Sequence, residues 1–116
     1  MASVIKNKGP KAVIARVGRK RPVHPGEVLF REFLDPMGMT QTELARRLDI
    51  SFPRVNEIIN GKRAVTADTA LRLARLFGTT AELWLGLQQA VDLWDLMHSA
   101  ETARALKKIE PLRMAG

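Results

Sequence analysis

Residues 40–63, TQTELARRLDISFPRVNEIINGKR, constrain this chain more than any other stretch, because two helix starts and two helix stops fall inside it. Thr40 followed by Glu43 is a capping box, in which the two side chains satisfy backbone N–H groups at a helix start, so a helix opens at Gln41. Leu44, Ala45 and Leu48 supply its apolar stripe at helical spacing. Asp49-Ile50 interrupts that spacing, and Ser51 is suited to cap a second helix. Pro53 falls in the first turn, where its missing N–H costs nothing. Val55, Ile58 and Ile59 give the second helix an apolar side, and Gly61 stands where a helix end calls for left-handed backbone. Two short helices joined by a tight turn form the helix-turn-helix arrangement.

The flanking sequence extends this into an all-α reading. Pro25 suits a first helical position and Glu27 complements a helix N-terminus, so a helix begins after His24. Val28, Leu29, Phe33 and Leu34 form its stripe; Pro36 is expected to stop it and Gly38 to permit the turn. His24 is read as a cap or a solvated residue rather than a ligand or base. Thr66 caps a strongly apolar helix that Gly78 closes. Thr79 and Glu82 are read as a further capping box before the longest helix, from Thr80 to His98.

That helix is apolar on more than one side, although a helix burying one face in its own domain needs only one. Leu83, Leu87 and Trp94 are candidates for the core. Trp84, Leu85, Val91 and Met97, with Trp94 on the overlap, are assigned to a homodimer interface. The competing expectation is that a short tail helix, from Ala100 to Lys108, folds back over them. The organisation expected is a basic N-terminal arm over 1–22, a helix-turn-helix domain over 23–98 and a C-terminal extension over 99–116.

Composition narrows the chemistry. The chain has no cysteine, which excludes disulfides, cysteine-ligated zinc and thiol nucleophiles and fits a reducing cytoplasm. No apolar run is long enough to cross a bilayer, and no signal-peptide core is present. There is no tyrosine, the two histidines lie far apart, and no phosphate-loop, dinucleotide or metalloprotease pattern occurs, so the chain is read as no enzyme, without cofactor or metal. The net charge of +7 is carried entirely by Lys6, Lys8, Lys11, Arg16, Arg19, Lys20 and Arg21. Basic and acidic residues balance in the rest of the chain, so bulk basicity does not argue for nucleic acid. The arm reads as flexible by composition, or as a segment that orders on DNA or on a protein.

A residue-level account of double-stranded DNA recognition is available for the helix after Ser51. Helical projection puts Pro53, Asn56, Glu57 and Asn60 opposite its apolar side, with Phe52 and Arg54 on the flanks. The N-terminal part of such a helix enters the major groove. There Arg54 suits guanine O6 and N7, Asn56 suits adenine, Glu57 accepts from cytosine N4, and Phe52 meets a thymine methyl. Gln41, Lys62 and Arg63 suit phosphates. The alternatives are that Arg54 pairs with Asp49 or Glu57, that Phe52 packs inward, and that Asn56 and Glu57 are merely solvated.

The segments HPGEVLFREFLDPMGMTQTELARRLDIS, VNEIINGKRAVTADTALRLARLFGTT and AELWLGLQ together resemble HigA-type (VapI-like) antitoxins of the lambda-repressor-like, XRE helix-turn-helix class. The resemblance runs from His24 to about Asp92. It implies a five-helix DNA-binding domain acting as a homodimer, repression of its own operon at a palindromic operator, and blockade of a HigB-type mRNA-cleaving toxin. Matching motif positions carry a DNA-binding role onto Gln41, Ser51, Arg54, Asn56, Lys62 and Arg63. Phe52-Pro53 departs from the polar residues common there in the wider class, and the basic lead is longer than the group suggests. The competing functions are a repressor with no toxin and an interaction module that no longer binds DNA.

Overall fold

The computed structural model describes residues 20–113, and all regular structure among them is helical. Helix α1 comprises Pro25–Val28, a π-helical stretch Leu29–Leu34 and a last turn Asp35–Met37. It is followed by α2 (Gln41–Leu48), α3 (Phe52–Ile59), α4 (Ala67–Phe77), α5 (Ala81–Met97) and α6 (Ala100–Lys107). Thr40, Ser51, Thr66, Thr80 and Ser99 each accept a backbone N–H three residues on, so every start from α2 onward has a side-chain cap. The expectations for residues 1–19 and 114–116 lie outside the described residues.

Two local expectations are corrected. Pro36 does not stop α1 but sits inside its last turn, which ends at left-handed Gly38. The Asp35 N–H bonds to Phe30 O, five residues back, so the helix has already widened to π spacing when it reaches the proline. In a regular α-helix the ring would meet the carbonyl four residues earlier, and the wider turn relieves that crowding. At α5 the capping residue is Thr80, which accepts from Leu83 N at 3.1 Å, rather than Thr79. The Thr79 hydroxyl is engaged elsewhere, accepting Trp84 Nε1 at 2.8 Å.

Leu29, Leu34, Leu44, Leu48, Val55, Ile58, Leu73 and Trp84 meet in one core. Phe33 bridges it, its ring 4.6 Å from Phe77 and 5.4 Å from Trp84. Trp84 and Val91, assigned from sequence to an interchain face, are therefore corrected: they are 0% and 2% exposed within a single chain. The Trp84 indole takes this place because the neighbouring Thr79 satisfies its N–H, which removes the cost of burying it. Leu83, Leu85 and Leu87 pack at the core margin, half-buried. Trp94 is half-buried as well, its ring stacked on His98 with centroids 3.8 Å apart. Met97 is exposed. α6 does not fold back over α5 as a cover, since none of its residues is buried.

The start of α1 touches α3 backbone to backbone. A Cβ added at Gly26 would lie 1.8 Å from Ile58 O and 2.9 Å from Ile59 Cα. Neither atom belongs to a side chain that can turn away. Gly26→Ala should destabilise the fold by about 3 kcal/mol or more, from overpacking against rigid backbone. Gly86→Ala is the control, because nothing lies within 4 Å of its added carbon and alanine suits a helix better; it should stabilise by about 0.5–1 kcal/mol. Chemical denaturation of both variants checks the pair.

Candidate nucleic-acid interface

The turn between α2 and α3 is built by Asp49, the one described non-glycine residue with positive φ, at 57°. Aspartate tolerates the left-handed region better than most residues, and its N–H closes the end of α2 on Ala45 O and Arg46 O. Ser51 then accepts Arg54 N at 3.3 Å and opens α3. Val55 and Ile58 are buried, which turns the opposite side of α3 outward. Phe52 is 47% exposed, and Ser51 and Pro53 are exposed with it, so the inward packing considered for Phe52 does not occur.

Polar ties hold this surface in place. Asn56 Nδ2 donates to Gln41 Oε1 at 2.9 Å, joining the outer side of α3 to the first residue of α2. Asn60 Nδ2 donates in turn to Asn56 O at 2.9 Å. Gln41 and Asn56, singled out separately from sequence, thus act as one unit. Arg54 bends toward α4, where Nη2 reaches Thr69 Oγ1 at 2.6 Å and Asp68 Oδ2 at 3.1 Å, rather than pairing with Asp49 or Glu57. Asp68 also receives Arg72 Nε at 3.0 Å, and these contacts, Arg72 first, hold its carboxyl below the usual carboxylate range.

The other arginines of the motif are partnered as well. Glu57 accepts Arg63 Nε at 2.7 Å. Glu43 accepts Arg46 at 2.7 Å and Arg47 at 2.6 Å, and hydrogen bonds from Arg46 and then Arg47 lower its carboxyl to about 2. Lys62 and Arg63 are exposed just beyond α3, where Gly61 turns with φ of 73°. Sequence reasoning missed Thr69, Asp68 and Arg72. Arg72 Nη1 donates to Leu48 O at 2.8 Å and Asp49 O at 3.3 Å, closing the carbonyl end of α2. Only the Asp68–Arg72 spacing of one helical turn hinted at this cluster. Among the described residues no group of three potential metal ligands occurs, and no helix is long and apolar enough to cross a membrane.

A helix-turn-helix family profile matches residues 30–84. The chain is 52% identical over 71 residues to virulence-associated protein I of Dichelobacter nodosus, covering 61% of this chain and 66% of that protein, just under two thirds of it. Antitoxin HigA-1 of Vibrio cholerae is 46% identical over 80 residues, covering 69% of this chain and 75% of that one. This chain belongs to the HigA-type antitoxins of the XRE helix-turn-helix family. A solved structure titled Pseudomonas aeruginosa antitoxin HigA with higBA promoter superposes with a TM-score of 0.72 at 41% identity, covering 80% of this chain and all of that one. The HigA-type fold thus includes the α2–α3 surface described above.

His24 supports the far end of that surface. Its Nδ1 accepts Gly26 N at 2.9 Å, capping α1, and its ring lies beside Gly61. Accepting at Nδ1 requires the neutral ring. Burial, then the Arg21 charge, pushes its pKa below the ordinary value, against the opposing pull of Asp92, Asp95 and Glu27. The stabilisation is therefore complete above the unfolded histidine pKa of about 6.5 and declines as pH falls through that value toward the lower folded one. Unfolding free energy should drop between pH 7.5 and pH 5.5. In His24→Asn, whose amide oxygen can still cap, the drop should shrink. Equal pH dependence in both proteins would contradict this.

Proposed function

We propose that this chain is an antitoxin that binds operator DNA as a homodimer, represses its own operon and neutralises a HigB-type ribonuclease. The observation that carries the reading is the exposed outer side of α3, capped by Ser51 and tied to α2 through Asn56 and Gln41, in a chain of HigA type. In this reading Phe52, Pro53, Asn56 and Glu57 face bases in the major groove, and Arg54 reaches a guanine by exchanging Asp68 for it. Gln41, Lys62 and Arg63 take phosphates.

A palindromic operator calls for a two-fold protein. With Trp84 and Val91 inside the core, the apolar surface left for a second copy is Leu93, Leu96 and Met97 at the end of α5 with Leu106 and Ile109 beyond it, exposed by 38%, 55%, 52%, 57% and 65%. Exposed apolar area of this kind marks a contact surface. A repressor lacking a toxin would share the DNA surface and differ only in its partner.

The test is a titration of the full chain onto its own promoter fragment and onto a scrambled fragment at physiological salt. The promoter should be preferred by about 10³-fold or more. A HigB-type ribonuclease encoded beside the chain should co-purify with it and lose ribonuclease activity in the complex, and the absence of any such neighbour would favour a repressor without a toxin. Equal affinity for both fragments would sink operator recognition, and an active ribonuclease in the complex would sink the antitoxin half.

A further inference from the structure

A guanidinium grips two acceptors at once along either of two edges, Nε with Nη2 or Nη1 with Nη2, so both grips need a hydrogen of Nη2. Nη2 carries two hydrogens. At Arg54 this atom already makes two contacts with the first turn of α4, to Thr69 Oγ1 at 2.6 Å and to Asp68 Oδ2 at 3.1 Å. A guanine is gripped only when one of them gives way. The two partners differ in what they lose. Thr69 is 1% exposed, and among the described residues its hydroxyl otherwise has only Thr66 Oγ1, at 3.4 Å. Leaving a buried hydroxyl with that weak contact alone is costly. The Asp68 side chain is 56% exposed and keeps Arg72 Nε at 3.0 Å when Arg54 leaves. Arg72 is itself anchored on Leu48 O at 2.8 Å. The Asp68 contact is therefore the one that yields.

From this difference we infer that Thr69 is a positioning residue for base recognition and that Asp68 is an intrachain competitor of the base. The inference rests on the operator-binding reading and says what controls the Arg54 step within it. Thr69 keeps its bond to Nη2 in the free and the bound chain, which aims the guanidinium plane before DNA arrives. The side-chain freedom that an unheld arginine would lose on binding is then lost on folding instead. Asp68 holds Nη2 only until guanine O6 or N7 takes its place. Its charge-assisted bond is broken on the correct site and kept on DNA that lacks that guanine, so Asp68 restrains affinity for the correct site. Neither residue needs a contact of its own with DNA. Their removal therefore acts in opposite directions: loss of the Thr69 hydroxyl weakens promoter binding, and loss of the Asp68 charge strengthens it.

The experiment uses the full chain on its promoter fragment, on a scrambled fragment, and on promoter fragments carrying 7-deazaguanine at one guanine at a time, which deletes the N7 acceptor. The guanine whose modification weakens the parent chain but not Arg54→Ala is the one that Arg54 reads. Thr69→Val should weaken promoter binding several-fold, leave scrambled DNA nearly unaffected and shrink the penalty at that guanine, and Thr69→Ser should restore all three. Asp68→Asn should strengthen promoter binding several-fold beyond its gain on scrambled DNA, because a negative charge merely removed from the neighbourhood of phosphates raises both alike. In the Arg54→Ala background the Thr69→Val loss and the promoter-specific Asp68→Asn gain should each fall below about two-fold, the signature of coupled residues. Weaker promoter binding in Asp68→Asn, or effects of unchanged size without Arg54, overturns the inference while leaving operator recognition intact. Asp68→Asn alters an exposed side chain and decides the matter alone if Thr69→Val fails to fold. If the parent chain itself fails to prefer its promoter, the operator reading falls and this inference falls with it.

Discussion

At Gly26 two stretches of main chain, the start of α1 and the end of α3, meet with no side chain between them. The carbonyl of Ile58, near the end of α3, occupies the space that any side chain larger than hydrogen at position 26 would need. The wall that α3 rests on is therefore the backbone of α1, which cannot yield by changing rotamer. His24 and Pro25 set the start of α1 at that point, one by accepting the Gly26 N–H and the other by its fixed φ. Arg72 closes the end of α2 beside α3. Gln88 secures the segment after it, accepting Val65 N at 2.9 Å while donating to Asp92 at the same distance. The outward side of α3 is thus presented by contacts made on its other sides.

This arrangement separates geometry from charge. The polar ties on the surface, Gln41–Asn56 above all, set where donors and acceptors stand, which is what direct reading of base edges requires. The arginines nearby are held by carboxylates that are themselves substantially exposed. Exposed ion pairs of this kind contribute little to stability. They are therefore cheap to exchange for a phosphate or a guanine, yet they keep the guanidinium groups near their posts beforehand. The domain gains order without a strongly basic face.

Much of the fold was legible because helix ends are local events. A hydroxyl at Thr40, Ser51 or Thr66 meets an N–H three residues away, so sequence spacing alone specifies it. The failures share a cause as well. Pro36 was misjudged because the π widening that accommodates it depends on where α1 must carry Leu29 and Leu34 into the core. Thr79 and Thr80 are adjacent hydroxyls, and which one caps was decided by the indole of Trp84. The sides of α5 were confused because it is apolar nearly all round, so periodicity could not tell Trp84 and Val91 from Met97. Arg54 found partners on α4 through a contact spanning 14 to 15 residues, beyond any local rule.

In the proposed function the outward side of α3, held by α2 and α4, is what meets DNA. Amide chemical shifts of the labelled full chain, followed while the promoter duplex is added, test it directly. The largest changes are expected at Gln41, at Ser51 through Glu57, and at Lys62 and Arg63, with the buried sides of α4 and α5 little moved. Changes centred on α1 or α6, with α3 unaffected, would contradict it.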